Sequence, residues 1–126
     1  MKSLIVDDSE VIRRKIMKLL KEMGFECATA SSSKEAKEIL EKDMPLDLIT
    51  VGFSLPDGTG LDLLRSIEDS IKTVPILIVA SGSHKKRLVE ALSLKIALIE
   101  FLPKPFEDEV FLEKVRNLMD RRSSSL

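Results

Sequence analysis

Leu46-Asp47-Leu48-Ile49-Thr50-Val51 runs straight into Gly52-Phe53-Ser54-Leu55-Pro56-Asp57-Gly58-Thr59-Gly60. The first half is apolar and β-rich, as a strand buried on both faces should be, and the second carries the glycines, proline and aspartate of a turn. Asp47–Val51 is therefore predicted as a strand, followed by a loop and a helix over Gly60–Ser70 through Leu61, Leu64 and Ile67. The same alternation extends in both directions. Upstream, Ser3–Val6 reads as a short strand. Glu10–Met23 reads as a helix with Ile12, Ile16, Leu19, Leu20 and Met23 on one face and Gly24 as its stop. Phe25–Ala30 is a weaker strand, and Ser32-Ser33-Lys34-Glu35 has the spacing of a capping box opening a helix to about Lys42. Downstream come a strand at Pro75–Ala80, a helix at Lys85–Leu94 and a strand at Ile96–Leu102. A final helix over Glu107–Arg122 turns Phe111, Val115, Leu118 and Met119 inward, and the residues from 123 to 126 read as a flexible tail or linker start.

Five strand–helix units with continuous apolar strands predict an α/β domain, a parallel sheet covered on both faces, occupying residues 1–122. A chain of 126 residues holds one ordinary core. The formal charge of −1 gives no basic face for nucleic acid or an anionic membrane, and five Phe without Tyr or Trp leave little for base stacking. No apolar run approaches the roughly 20 residues of a membrane span, and no leader segment stands out at Met1–Val6, so the expected location is cytoplasmic. Cys27, the single cysteine, suits a reducing compartment and reads as a packed thiol.

With Asp7-Asp8 after the first strand and Lys104-Pro105 near the end, the chain resembles the receiver domain of bacterial response regulators. The resemblance covers essentially the whole chain. It implies a flavodoxin-like doubly wound sheet of order 2-1-3-4-5 with five helices, and a site at the carboxyl ends of strands one and three. In that family an aspartate takes a phosphoryl group from a phosphohistidine or a small phosphodonor, helped by a divalent cation and a lysine that spread the charge. The resemblance maps Asp7 and Asp8 onto the acidic pair, with Asp8 as the direct ligand of Mg2+ and the backbone carbonyl of Ser54 completing the protein ligands. Lys104 would pair with phosphoryl oxygens, and the Lys104-Pro105 step is usually cis there. Phe101 falls at the aromatic switch position.

Two positions depart from the family. Gly52 stands where the acceptor aspartate is expected, and Ala80 stands where a Thr or Ser hydroxyl is normal. Ser81 lies one residue further, a step that turns a strand side chain to the opposite face. No substitute acceptor stands out. Asp57 is common at its position in phosphorylatable members too, Ser54 has no adjacent base, and attack by Asp8 would remove a metal ligand. With Gly52 only two carboxylates remain near Lys104, so Mg2+ binding is expected to be weakened.

Plainer readings accompany these. Asp7-Asp8 before Ser9 also suits a helix N-terminus, and Gly52 a tight strand-to-loop turn. His84 with Lys85-Lys86-Arg87 reads as a solvated helix start or a partner-docking patch. The reading favoured by the whole set is a divergent, non-enzymatic receiver in two-component (phosphorelay) signalling, a pseudo-receiver acting by protein–protein contact. Its expected partners are a sensor histidine kinase, a chemotaxis-type protein or an effector. A homodimer would use the face of the predicted fourth helix, fifth strand and fifth helix. Two alternatives stay open at this stage. One is an aspartyl-phosphate switch with an unorthodox acceptor, or with its native aspartate replaced at Gly52. The other is a flavodoxin-like small-ligand binder, against which the acidic Asp7-Asp8-Ser9 loop makes a poor phosphate cradle.

Overall fold

The structure, a computed structural model, describes residues 1–42, 45–71, 73–81, 90–91 and 93–124. Its main sheet is parallel, with β1 (Lys2–Val6), β2 (Glu26–Ala30), β3 (Leu48–Gly52), β6 (Ile76–Ser81) and β7 (Ile99–Lys104) in the order β2-β1-β3-β6-β7. Counted along this sheet alone, that is the expected 2-1-3-4-5. The two intervening strands, β4 (Ser54–Leu55) and β5 (Gly58–Thr59), form a separate antiparallel ribbon in the loop after β3. Four helices are described: α1 (Glu10–Glu22), α2 (Ser33–Leu40), α3 (Gly60–Ile67) and α4 (Asp108–Ser124). Five were expected. The missing one, Lys85–Leu94, falls largely outside the described residues, as do His84 and Lys85-Lys86-Arg87.

Strand alternation divides the core in two. Leu4, Val6, Ile49, Val51, Ile76, Ile78 and Ala80 face the side covered by Ala36 of α2 and by Leu61 and Leu64 of α3. Ile5, Leu48, Leu77, Val79 and Leu102 face Ile16, Leu19 and Leu20 of α1 and Phe111, Val115 and Leu118 of α4. Helix α1 starts where Ser9 Oγ accepts from the Ile12 amide at 3.3 Å, and the chain leaves it through Gly24 at φ 93°.

Most element ends shift by one to three residues from expectation, with β7 starting at Ile99 instead of Ile96 and α3 ending at Ile67 instead of Ser70. Two of the C-terminal shifts have a visible cause. Strand β7 runs to Lys104 instead of ending at Leu102, because its ladder with β6 continues through Ala80–Pro103 and Ser81–Lys104. An edge strand tolerates Pro103 there. Helix α4 runs through Ser124, two residues beyond the boundary expected at Arg122, so the tail assigned to 123–126 begins with two helical residues and its last two lie outside the described ones. Arg122 anchors that end, donating to the Asp47 carbonyl at 3.2 Å and to its carboxylate at 2.9 Å, while Asp47 also accepts from the Lys2 amide at 2.8 Å.

The loop after β3 is fixed at two points. Gly60, at the start of α3, donates its amide to the Phe53 carbonyl at 2.7 Å, and a Cβ built on it would land on the carbonyl oxygen of Gly52. Further along, the Asp57 carboxylate caps α2 from 24 positions away, accepting from the amides of Ser33 at 2.9 Å and Lys34 at 3.0 Å. Ser32 Oγ takes the Glu35 amide at 3.2 Å, so the three amides that open α2 are all satisfied. The reciprocal half of the expected capping box is altered, since Glu35 turns to the Ser31 hydroxyl at 2.6 Å. The Ser33 amide, then that of Lys34, holds the Asp57 carboxyl below the usual carboxylate range.

Two outcomes follow from these contacts. Gly60→Ala meets main chain that cannot give, and should cost about 1–3 kcal/mol in urea unfolding; an unchanged midpoint would refute the close approach. Asp57→Asn offers one carbonyl oxygen to two amides and no charge, and should lower the melting temperature at neutral pH. A carboxyl depressed by folding adds stability above its unfolded pKa of about 3.9 that is lost as pH falls through its folded value. The gap between the two proteins should therefore close in acid, and a constant gap from neutral to acid would remove Asp57 from the cap.

Candidate functional site

Strand alternation brings three residues together at the carboxyl end of the sheet. Asp7 follows Ile5 by two positions, Gly52 follows Thr50 and Leu48, and Lys104 follows Leu102, so all three lie on the α1/α4 side. Asp7 is 1% exposed, and every polar group it carries is engaged. Its amide donates to the Ala30 carbonyl at 3.1 Å, and its carbonyl accepts from Arg13 at 2.7 Å. Its Oδ1 accepts from the Ser9 amide at 2.9 Å, and its Oδ2 accepts from Lys104 Nζ at 2.8 Å. A buried carboxylate needs such a set, because an unpaired charge away from water is costly.

Lys104 is held from behind. The Lys104-Pro105 peptide is cis, as the resemblance implied. Just beyond it Phe106 is buried and stacks on Phe111, with ring centroids 5.6 Å apart. Lys15 of α1 lies 4.3 Å above the Phe106 ring and donates to the Phe106 carbonyl at 2.8 Å. The segment carrying Lys104 is thus clamped between α1 and α4.

Gly52 is buried against the ion pair. A Cβ built on it would lie 2.7 Å from Asp7 Oδ2, the oxygen that Lys104 holds. Asp7's carboxylate therefore fills the space in which any side chain at 52 would begin.

The other residues singled out from the sequence are placed as follows. Asp8 is exposed, with no hydrogen bond or ion pair to another described residue. Ser54 is exposed and belongs to the β4–β5 ribbon. Ala80 is buried in the core on the α2/α3 side, where Phe101 packs half-buried against the same cluster. Ser81 is exposed and sits opposite Lys104 in the β6–β7 ladder, and Pro105 is exposed. Cys27 is half-buried and accepts from the Ser3 hydroxyl at 3.3 Å. Sequence reasoning missed Arg13 and Lys15, which hold the site through a backbone carbonyl each and so leave no motif. It also missed the α2 cap made by Asp57.

The donor set fits a divalent cation poorly. Among the described residues no three His, Cys, Asp or Glu side chains gather to hold a metal. Both Asp7 oxygens are occupied, and the one buried side-chain oxygen without a hydrogen bond among the described residues is Thr50 Oγ1, two residues below Gly52 in β3. A hard cation that wants several oxygen ligands finds here an exposed Asp8 and main-chain carbonyls.

Comparison with known proteins agrees with this fold. Residues 3–116 match the family model described as the response regulator receiver domain. The chemotaxis protein CheY of Pseudomonas aeruginosa is 32% identical over 124 residues, covering 96% of this chain and 98% of CheY. The transcriptional regulatory protein CpxR of Escherichia coli is 29% identical over 120 residues, covering 95% of this chain and 50% of CpxR. The chain thus spans about half the length of that regulator and nearly all of CheY. A crystal structure of a response regulator receiver domain protein from Clostridium thermocellum superposes with a TM-score of 0.85 at 27% identity, over 99% of this chain and 98% of that one. The chain belongs to the response regulator receiver domain family.

Proposed function

We propose that this receiver domain relays its signal through surface contact with protein partners, without an aspartyl phosphate. One observation carries the reading. The strand end that should present a nucleophilic carboxylate presents Gly52, and the neighbouring Asp7 carboxylate is 1% exposed and bound to Lys104 and the Ser9 amide. Phosphoryl transfer to carboxylate needs an accessible oxygen in line with the donor, and neither residue offers one. The hydroxyl position is likewise filled by the buried methyl of Ala80. The domain so read is not an enzyme.

The named relatives, a chemotaxis protein and a transcriptional regulatory protein, support partners of the same kind: a sensor histidine kinase, a chemotaxis-type protein or an effector domain. The face proposed for contact or homodimerisation is formed by the predicted fourth helix, β7 and α4. Among its described charges, Glu100 of β7 is joined to Lys114 at 3.4 Å and to Arg121 at 2.9 Å. A partner there would read shape and charge pattern together. Cytoplasmic placement suits such partners, and no helix among the described residues is long and apolar enough to cross a membrane. Mg2+ binding through Asp7, Asp8 and the Ser54 carbonyl is expected to be weak.

Intact-mass analysis after incubation with acetyl phosphate and Mg2+ tests the reading. The chain should gain no phosphoryl group, while a phosphorylatable receiver in the same tube does. A hydroxylamine-labile phosphoryl adduct on this chain would establish an unorthodox carboxylate acceptor and contradict the proposal.

A further inference from the structure

We infer that Lys104 takes the place of the divalent cation in this pocket, and that Gly52 is what allows it: without a side chain at 52, the Asp7 carboxylate moves inward and closes onto the ammonium. The inference rests on pocket geometry and stands whether or not the function proposed above is correct.

Three observations carry it. The Asp7–Lys104 contact is 2.8 Å, with the carboxylate side chain 1% exposed and the lysine side chain 25% exposed, so the pair is shielded from water on the acidic side. The second carboxylate oxygen accepts from the Ser9 amide at 2.9 Å, so a hard cation would have to share each Asp7 oxygen with a donor already in contact. Finally, a Cβ at 52 would stand 2.7 Å from the oxygen bound by Lys104. That oxygen is the far end of a short side chain, so a residue at 52 would push the carboxylate off the ammonium and towards the mouth.

The two positions are therefore coupled. Glycine at 52 and lysine at 104 together give a pocket neutralised by the protein's own charge, with Asp8 left exposed as a single anion. A divalent cation prefers several anionic oxygens and here would compete with an ammonium already in contact. The pocket should keep one arrangement whatever the Mg2+ concentration, and the ends of β1 and β7 should stay joined.

The test is a titration with Mg2+, and separately Mn2+, of the wild-type chain, Gly52→Asp and Lys104→Met. It is followed by the amide resonances of Ser9 and Phe53 and by the Lys104 ammonium resonance. Wild type should show no saturable shift at Ser9, and its ammonium signal should persist. Gly52→Asp adds a carboxylate and expels Asp7, and Lys104→Met removes the competitor, so each should bind at least about tenfold more tightly than wild type. A saturable wild-type response within about threefold of Gly52→Asp would overturn the inference. So would loss of the wild-type ammonium signal on adding Mg2+, or a folded Lys104→Met that gains nothing. If Lys104→Met does not fold, the wild-type titration and Gly52→Asp decide. Phosphoryl uptake by a metal-insensitive wild-type chain would sink the functional reading and leave this one intact.

Discussion

The contact on which the site depends is the 2.8 Å bond from Lys104 to an Asp7 carboxylate that is almost wholly buried. Asp7 directly follows β1 and Lys104 ends β7, three places apart in the sheet order β2-β1-β3-β6-β7, so the bond links the edge strand β7 to the end of β1 across the strand end that carries Gly52. Burying two charges is costly, and their attraction offsets that cost only while both stay in register. Removing one partner from such a pair typically costs about 3–5 kcal/mol. The surrounding structure holds both partners in place. Arg13, Ser9 and Ala30 fix Asp7 through its main chain and its other oxygen, while Lys15 and the Phe106–Phe111 stack fix the segment that bears Lys104.

Around this pair the chain is small where it must be. Gly52 gives room to the Asp7 carboxylate on one side, and Gly60 lets the start of α3 approach the Gly52 carbonyl on the other. Neither glycine has a positive φ; both are required by close approach, unlike Gly24, whose φ of 93° serves the end of α1. The loop between them is held by Asp57 on α2, so the wall of the pocket is continuous from β3 to the helix beside it.

Much of the fold was legible in the sequence. The central strands β3 and β6 are largely apolar runs, β1, β2 and β7 are weaker, and the helices carry a 3.6-residue stripe, so existence and type could be read for each described sheet strand and helix. The meeting of Asp7, Gly52 and Lys104 was legible only through family resemblance, since pattern alone placed Asp7 equally well at a helix N-terminus. What escaped depends on contacts between distant positions. The Asp57 cap bridges 24 residues and the Arg122–Asp47 anchor 75, and neither leaves a local periodicity. The β4–β5 ribbon has two residues per strand, too few for an alternation to register. The extension of β7 was hidden by Pro103, which reads as a breaker until the strand is known to lie at an edge. The resemblance also implied that position 52 lacks the expected carboxylate, but whether the space beside Gly52 stays open or is filled by Asp7 is a matter of distance.

The most direct test of that last point is a high-resolution crystal structure of Gly52→Ala beside the wild type. The single added methyl group should rotate the Asp7 carboxylate away from Lys104 and break their bond. A variant that accommodates the methyl group with the Asp7–Lys104 bond intact would contradict it.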